Sequence, residues 1–260
     1  MTSLVVERDG AVEWLTLARP ETKNALDRPL VLALGAAIAA ASADAEVRVI
    51  VLSGRGGAFC SGADLKAVMS DGEDLASSID ARIAEYHVII RAIAHAPKPV
   101  LAVLDGPAVG FGCDLALACD LRIASSRAYL QEKFVKIGLM PDGGGTYWLP
   151  RLVGTARAME LILTGAPIDA ARAEALGIVN RVVPPEQLDA DARAFAHQLA
   201  AGPPLAFAAI KRAVVDGLGA GLEAALAREA EGQARCLRSE DAFEGVSAFL
   251  SKRQPSFQGR

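Results

Sequence analysis

The stretch GLMPDGGGTYWLP, residues 138 to 150, places one acid, Asp142, between a proline and three consecutive glycines. Pro-Asp-Gly is favourable local chemistry for a turn. Glycine-rich loops also cradle phosphates, and a carboxylate that such a loop presents is a candidate acid or base. These residues alone therefore leave three roles open for Asp142: a turn residue, part of a phosphate-binding loop, or a catalytic acid.

Two further stretches are rich in glycine, SGRGGAFCSGAD (53–64) and DGPAVGFGCD (105–114). A P-loop needs Gly-Lys followed by Ser or Thr, which is missing, and GFGCDL (110–115) lacks the third glycine of a dinucleotide fingerprint. Glycine also lets backbone approach a ligand closely and aim an N–H at it. Two such N–H groups from separate loops can form an oxyanion hole. Each glycine taken singly is explained by a turn, but three such loops in one chain favour ligand binding.

The elements that must hold these loops alternate between β-branched runs and alanine-rich helical stretches, which predicts an α/β fold. Strands are predicted at 12–18, 47–54, 97–106, 121–125 and 128–131. Helices are predicted at 29–44, 156–165, 169–177, 188–202 and 205–218. Residues 49 to 52 are apolar without a polar alternate, which is typical of a strand covered on both faces. The Pro-Pro pair at 203–204 is the best candidate for the edge of a helical appendage.

Composition narrows the class of protein. The chain has 260 residues, 52% of them apolar, and a net charge of −4, so it can bury a large core and has no basic field for nucleic acid. No signal peptide or long uncharged apolar stretch is visible, and we expect a soluble cytoplasmic protein without a membrane partner. The four cysteines and three histidines show no metal-binding spacing, so no metal is expected.

Across nearly its whole length the chain resembles the crotonase, or enoyl-CoA hydratase/isomerase, superfamily. The segments that carry the resemblance, in the family's order and spacing, are RPETKNALD (19–27), GAFCSGADLK (57–66), PKPVLAVLDGPAVGFGCDLALACDLRIAS (97–125), GLMPDGGGTYWLPRLVG (138–154), ELILTGAPIDAARAEALGIVNRVVP (160–184) and EGVSAFLSKRQPSF (244–257).

This resemblance implies a spiral core of ββα turns, here residues 1–202, followed by a helical C-terminal module, residues 203–260, that builds trimers, often paired into hexamers. It implies an acyl-CoA thioester as substrate, with coenzyme A as part of the substrate and no separate cofactor. The backbone N–H groups of Ala63 and Phe111 would form the oxyanion hole. The residues that would bind CoA are Asn24, Ala25, Leu26, Ser61, Asp64, Leu65 and Lys252, with Lys252 supplied by the same or by a neighbouring subunit.

The acids decide which reaction the family site performs. Hydratases of the best-known type hold water with two glutamates; here Asp114 stands at the first position and Phe134 at the second, with Glu132 nearby in sequence. Asp142 falls where double-bond isomerases carry their one catalytic acid. The stretch 138–151 and the C-terminal segment are most similar to the ring-opening epoxyphenylacetyl-CoA isomerase subgroup of phenylacetate degradation.

We therefore predict an enoyl-CoA isomerase in which Asp142 shuttles a proton. One alternative is a 2-enoyl-CoA hydratase that uses Asp114 and Asp142 together. Alternatively, Asp114 has no catalytic role and is an acid at a helix N-terminus, where its negative charge interacts favourably with the helix dipole. A non-catalytic acyl-CoA binder, a hydrolase and a decarboxylase also stay open. The acyl group would be selected by residues 66 to 90, which match no motif, so its identity is not predicted.

Overall fold

The computed structural model describes residues 2–70 and 75–260, and within them it confirms the predicted α/β class. The strands are β1 (Leu4–Asp9), β2 (Val12–Leu17), β3 (Val49–Gly54), β4 (Val100–Leu104), β5 (Pro107–Val109), β6 (Leu121–Ser125), β7 (Tyr129–Gln131), β8 (Ile168–Asp169) and β9 (Arg181–Val183). The helices are α1 (Arg28–Ala43), α2 (Leu65–Ser70), α3 (Leu75–His95), α4 (Phe111–Ala118), α5 (Gly145–Val153), α6 (Thr155–Thr164), α7 (Ala170–Ala175), α8 (Leu188–Ala200), α9 (Pro204–Gly217), α10 (Leu222–Leu237) and α11 (Glu240–Leu250). Residues 71–74, part of the stretch predicted to select the acyl group, lie outside the described residues.

The strands form two sheets. The larger has the order β1-β2-β3-β4-β6-β9; β1 and β2 pair antiparallel, and the other neighbours pair parallel. The smaller has the order β5-β7-β8. Because β3 and β4 are parallel neighbours, the glycine-rich stretches that follow them, 53–64 and 105–114, leave the same edge of the sheet. This is the edge at which loops of parallel sheets usually bind ligands.

Both faces of β3 are buried, as its unbroken apolar run predicts. Ile50 and Leu52 belong to the main core, which they share with α1, α3 and α4. Val49 and Val51 point to the other face and pack in a second cluster with residues of α8. Successive side chains of a strand point to opposite faces, so a strand covered twice needs apolar residues at every position.

Local signals set the starts of the two helices that border the loops. The carboxylate of Asp27 accepts the N–H of Leu30 at 3.0 Å and caps α1, which satisfies one of the unpaired amides at a helix start. Gly144, which precedes α5, has a φ of 98°, a left-handed conformation that favours glycine. The glycine run at 143–145 is therefore the start of a helix as well as a loop.

The C-terminal helices differ from the rest of the chain in their surface. Neither α9 nor α10, which lie entirely within the described residues, has a buried residue. Large apolar side chains are exposed on these helices and on α11, among them Leu222, Phe243, Phe249 and Leu250. The division of the chain at residues 202 and 203 stays a prediction. Among the helices that the structure describes, none has the length and apolar character needed to cross a bilayer.

Candidate active site

A cavity of about 200 Å³ lies beside α2 and α3. Ala63 and Asp142, predicted as oxyanion donor and catalytic acid, both line it. Much of the remaining wall is apolar and comprises Val31, Leu65, Val68, Ile79, Ile83, Tyr86 and Leu139. Three carboxyl groups, those of Asp27, Glu85 and Asp142, also line it. Asp27 caps α1 and Glu85 is paired with Arg28 at 2.8 Å, so Asp142 is the acid of the described lining that faces this apolar surface, suited to a hydrocarbon chain, without a cap or an ion pair.

The backbone around Ala63 is fixed by a short parallel bridge to Leu26. Leu26 donates its N–H to the carbonyl of Gly62 at 2.8 Å, and Asp64 donates to the carbonyl of Leu26 at 2.9 Å. These bonds do not use the amide of Ala63. Gly62 has a φ of 93°, and a Cβ added there would lie 2.8 Å from the carbonyl oxygen of Val109. The loop that presents the Ala63 amide therefore requires glycine at position 62.

Phe111 is the first residue of α4, and the amides of the first helical turn have no partner within the helix. Its nitrogen lies 3.4 Å from the position that a Cβ of Gly62 would occupy. The amides of Phe111 and Ala63, which the sequence places 48 residues apart, therefore belong to backbone segments in direct contact.

Asp142 is half-buried at the end of the loop that leads to α5. Its backbone carbonyl accepts a hydrogen bond from Nε2 of His87 on α3 at 2.8 Å. Its carboxyl Oδ1 has no hydrogen-bond partner among the described residues. Burial raises the pKa of Asp142, and the nearby His87 partly opposes the rise. Its own backbone N–H also lowers the pKa of this carboxyl group, but less than burial raises it. A carboxylate with a raised pKa and one oxygen without a donor is a stronger base than an exposed aspartate.

Asp114 is not in the wall of this cavity. Its side chain, on the first turn of α4, is fully buried, and Oδ2 accepts the N–H of Gly143 at 2.7 Å. It therefore contacts the residue after Asp142 and does not face Asp142 across the cavity. The charge of Asp142 still acts on it, since burial first and then Asp142 raise the pKa of Asp114 to about 7.

The residue that contacts Asp114 is Glu132, which follows β7 and is 1% exposed. Burial first, and then the charge of Asp114, raise the pKa of Glu132 to about 9. Two adjacent buried carboxyl groups titrate as a unit. No sequence pattern indicates the contact between Glu132 and Asp114, because the two residues are 18 positions apart in different elements. The sequence shows only that Glu132 lies near Phe134.

Phe134, at the position of the second hydratase glutamate, is a buried core residue. Trp148 packs against the same core, whereas Tyr147 is 37% exposed and lies under the guanidinium of Arg151. These aromatic residues do not line the cavity that holds Asp142.

The residues predicted to contact CoA fall into two groups. Segments 24–26 and 61–65 are joined by the Leu26–Ala63 bridge and by the N–H of Ser61, which donates to the carbonyl of Lys23 at 3.0 Å. The buried side chain of Asn24 forms hydrogen bonds with backbone groups, and Asp64 forms an ion pair with Arg19 at 2.9 Å. Both side chains are therefore engaged within the protein. Lys252, just after α11, does not line the cavity.

One family model spans nearly the whole chain. The family model described as enoyl-CoA hydratase/isomerase matches residues 7–260, and the chain belongs to this family and is an enzyme of the crotonase superfamily.

The similar proteins carry both reaction names. A "probable enoyl-CoA hydratase" of Rhodobacter capsulatus is 46% identical, over 95% of this chain and 94% of the relative. A "1,2-epoxyphenylacetyl-CoA isomerase" of Escherichia coli is 37% identical, over 97% of each chain. The crystal structure of an enoyl-CoA hydratase from Bacillus anthracis has a TM-score of 0.95 and 33% identity, over 100% of each chain. The crotonase fold predicted from the sequence is thus confirmed.

Proposed function

We propose that the protein is an enoyl-CoA isomerase in which Asp142 moves one proton and the amides of Ala63 and Phe111 hold the thioester oxygen. One observation carries the proposal: Asp142 lines the same cavity as Ala63, whereas Asp114 and Glu132 are buried outside its wall. The resemblance of the 138–151 stretch to isomerases, and the 37% identity to a protein named as an isomerase, support it.

The reaction needs one base that changes its protonation state twice. The ionised carboxylate of Asp142 removes a proton from the α carbon of a 3-enoyl thioester, and the released electron pair moves onto the thioester oxygen. Two preorganised N–H donors stabilise this dienolate. Asp142 then returns the proton to the γ carbon and the double bond moves next to the carbonyl, so that Asp142 is again ionised. Only protein groups and the substrate's own coenzyme A take part.

The test is Asp142→Asn, assayed for conversion of a 3-enoyl-CoA to the 2-enoyl-CoA. We expect kcat to fall by about 10² to 10⁴, because that is the usual contribution of a general base. Asp105→Asn is the control, since Asp105 is paired with Arg127 away from the cavity. Isomerisation by Asp142→Asn at the wild-type rate would remove Asp142 from the mechanism.

Hydration of a 2-enoyl-CoA by Asp114 and Asp142 is the second candidate. Most of the similar proteins are named as hydratases, and the charge of Asp142, which raises the pKa of Asp114, is compatible with two acids that act together. Crotonyl-CoA hydration by wild type and Asp114→Asn separates the candidates: fast hydration that this substitution abolishes would place the hydratase first. Binding without turnover across straight, branched and aromatic acyl-CoAs would instead favour a non-catalytic binder.

We also propose that coenzyme A lies along backbone 24–26 and 61–65, with Lys252 reaching its phosphates from a neighbouring subunit, and that the protein is a cytoplasmic homotrimer or hexamer. The exposed apolar side chains of α10 and α11, such as Leu222 and Phe249, support an interface between copies, because so large an apolar surface usually marks one. Light scattering coupled to size-exclusion chromatography measures the state, and a monomer at micromolar concentration would contradict it.

A further inference from the structure

Asp114 and Glu132 form a closed pair of buried carboxyl groups, which we call the acid pair. Asp114 comes from α4 and Glu132 from the segment after β7, and their side chains meet at the start of α5. A Cβ added at Gly145 would overlap Oδ1 of Asp114 and lie 2.8 Å from Oε1 of Glu132. Glycine at 145 is therefore what allows both groups to reach this helix terminus.

The two acids are supported unequally by their neighbours. Oδ2 of Asp114 accepts the Gly143 N–H at 2.7 Å, and the Gly145 amide also favours its ionised form. Among the described residues, no N–H or hydroxyl group donates to either oxygen of Glu132, and the thiol of Cys113, a weak donor, is the group that favours its ionised form. A buried carboxylate with so weak a donor is strongly disfavoured, so Glu132 is the member of the pair that holds a proton.

Within residues 2–70 and 75–260, the groups that act on the acid pair do not supply a compensating positive charge. Those that act on it electrostatically are the thiol of Cys113 on α4 and the carboxyl group of Asp142. On α3, Tyr86 and His87 in turn interact with Asp142. The favourable contributions come from the amides at the start of α5, where a helix favours negative charge. One negative charge on the pair is thus accommodated, and a second is not.

We propose that Glu132 is a positioning residue: its protonated carboxyl donates to Asp114 and so holds Asp114 against the Gly143 amide, which fixes the turn that presents Asp142. The inference rests on the proposed role of Asp142 in enolate formation. When the pair loses its proton, this hydrogen bond is lost, and a second buried negative charge opposes the charge that develops on the substrate.

The expected signature is in the pH dependence. Wild-type kcat/KM should fall on the alkaline side as the pair loses its proton. In Glu132→Gln, an amide donates the same hydrogen bond but cannot titrate, so the alkaline fall should disappear or move up by at least about one pH unit. Glu132→Ala has no donor, and we expect kcat to drop about tenfold or more, with Glu132→Gln recovering most of the loss. Asp120→Asn is the matched control, because Asp120 is a half-buried acid whose pKa burial also raises but which pairs with Lys211 outside the site.

A second measurement does not depend on the reaction. A carboxyl group whose pKa is higher in the folded than in the unfolded chain contributes stability that is present at low pH and is lost as pH rises through the folded value. The thermal midpoint of wild type should therefore fall between the ordinary glutamate value of 4.5 and the folded value of about 9 more steeply than that of Glu132→Gln. Asp114→Asn provides the same comparison if Glu132→Gln does not fold.

The outcomes separate the two proposals. Matching alkaline limbs in wild type and Glu132→Gln, or parallel dependences of the thermal midpoint on pH, would overturn the shared proton. No isomerisation by wild type, together with a flatter stability profile in Glu132→Gln, would refute the proposed reaction and leave the shared proton supported. A profile altered equally by Asp120→Asn would assign the effect to buried carboxyl groups in general and also overturn the proposal.

Discussion

Two sets of carboxyl groups meet at the turn from 142 to 145, and their environments differ in one respect. Asp142 is half-buried and lines a cavity, whereas Asp114 and Glu132 of the acid pair are buried outside its wall. Burial raises the pKa of all three. The difference lies in access. A ligand in the cavity can reach Asp142, which is therefore suited to exchange a proton with it, whereas the enclosed acid pair is suited to retain its proton.

Adding a methyl group at the meeting point should disturb both sets together. In Gly145→Ala the new Cβ would overlap Asp114 and press on Glu132. We expect a loss of about 2 kcal/mol in the free energy of unfolding from overpacking, and about a hundredfold loss of kcat because the Asp142 turn is displaced. Chemical denaturation and steady-state kinetics measure the two effects.

Gly217→Ala is the control for this substitution. Gly217 ends α9, and a Cβ there would meet no atom within 4 Å. Alanine in a helix should be neutral or stabilising by up to about 1 kcal/mol. Equal behaviour of the two alanine variants would mean that the 145 position tolerates a side chain and that the acids are less tightly packed there.

Removing the charge of Asp114 alone tests whether Asp114, like Asp142, acts on the substrate. Asp114→Asn keeps an oxygen for the Gly143 amide and leaves in place the burial that raises the pKa of Asp142. The base is therefore retained, and we expect kcat/KM for isomerisation to drop by at most about tenfold, from the altered contact at the turn. The alkaline limb should also be lost. A drop as large as that of Asp142→Asn would instead mean that both acids act on the substrate.

The smallest effect is expected for the hydrogen bond from His87 on α3 to the backbone carbonyl of Asp142. His87→Phe removes the 2.8 Å bond to the Asp142 carbonyl, and one hydrogen bond of about 1 kcal/mol corresponds to about a fivefold change in kcat. His95→Phe, on an exposed position of the same helix, is the control. An unchanged rate in His87→Phe would show that the acid pair alone orients the turn.

Much of the fold follows from residues that act locally. The apolar run at 49–52 predicts a strand covered on both faces, which is confirmed by the two core clusters that flank β3. The helix expected at 29–44 spans Arg28–Ala43, where Asp27 caps it. By contrast, β1 and β5 were not predicted. β5 has only three residues, and its pairing with β7 is a tertiary contact that no local pattern reveals.

The candidate site was predictable where a motif carries it. Asp142 and Ala63 were both named from glycine-rich segments, and both line the cavity; their catalytic roles stay predictions. Glu132 was noted only for lying near Phe134, because side-chain spacing along β7 does not indicate which helix it meets. The burial of a second acid beside Asp114 depends on how α4, α5 and the segment after β7 pack, and this is a property of the fold.

Helix α3 has a consequence for how the enzyme would respond to different acyl groups. Ile83 and Tyr86 on this helix form part of the cavity wall, and the next residue, His87, holds the carbonyl of Asp142. An acyl group that fits poorly against Ile83 and Tyr86 would displace the same helix that holds the proposed base, Asp142, in position. Discrimination between substrates would then be expressed in turnover more than in affinity, so that a badly shaped thioester could occupy the enzyme and still react slowly.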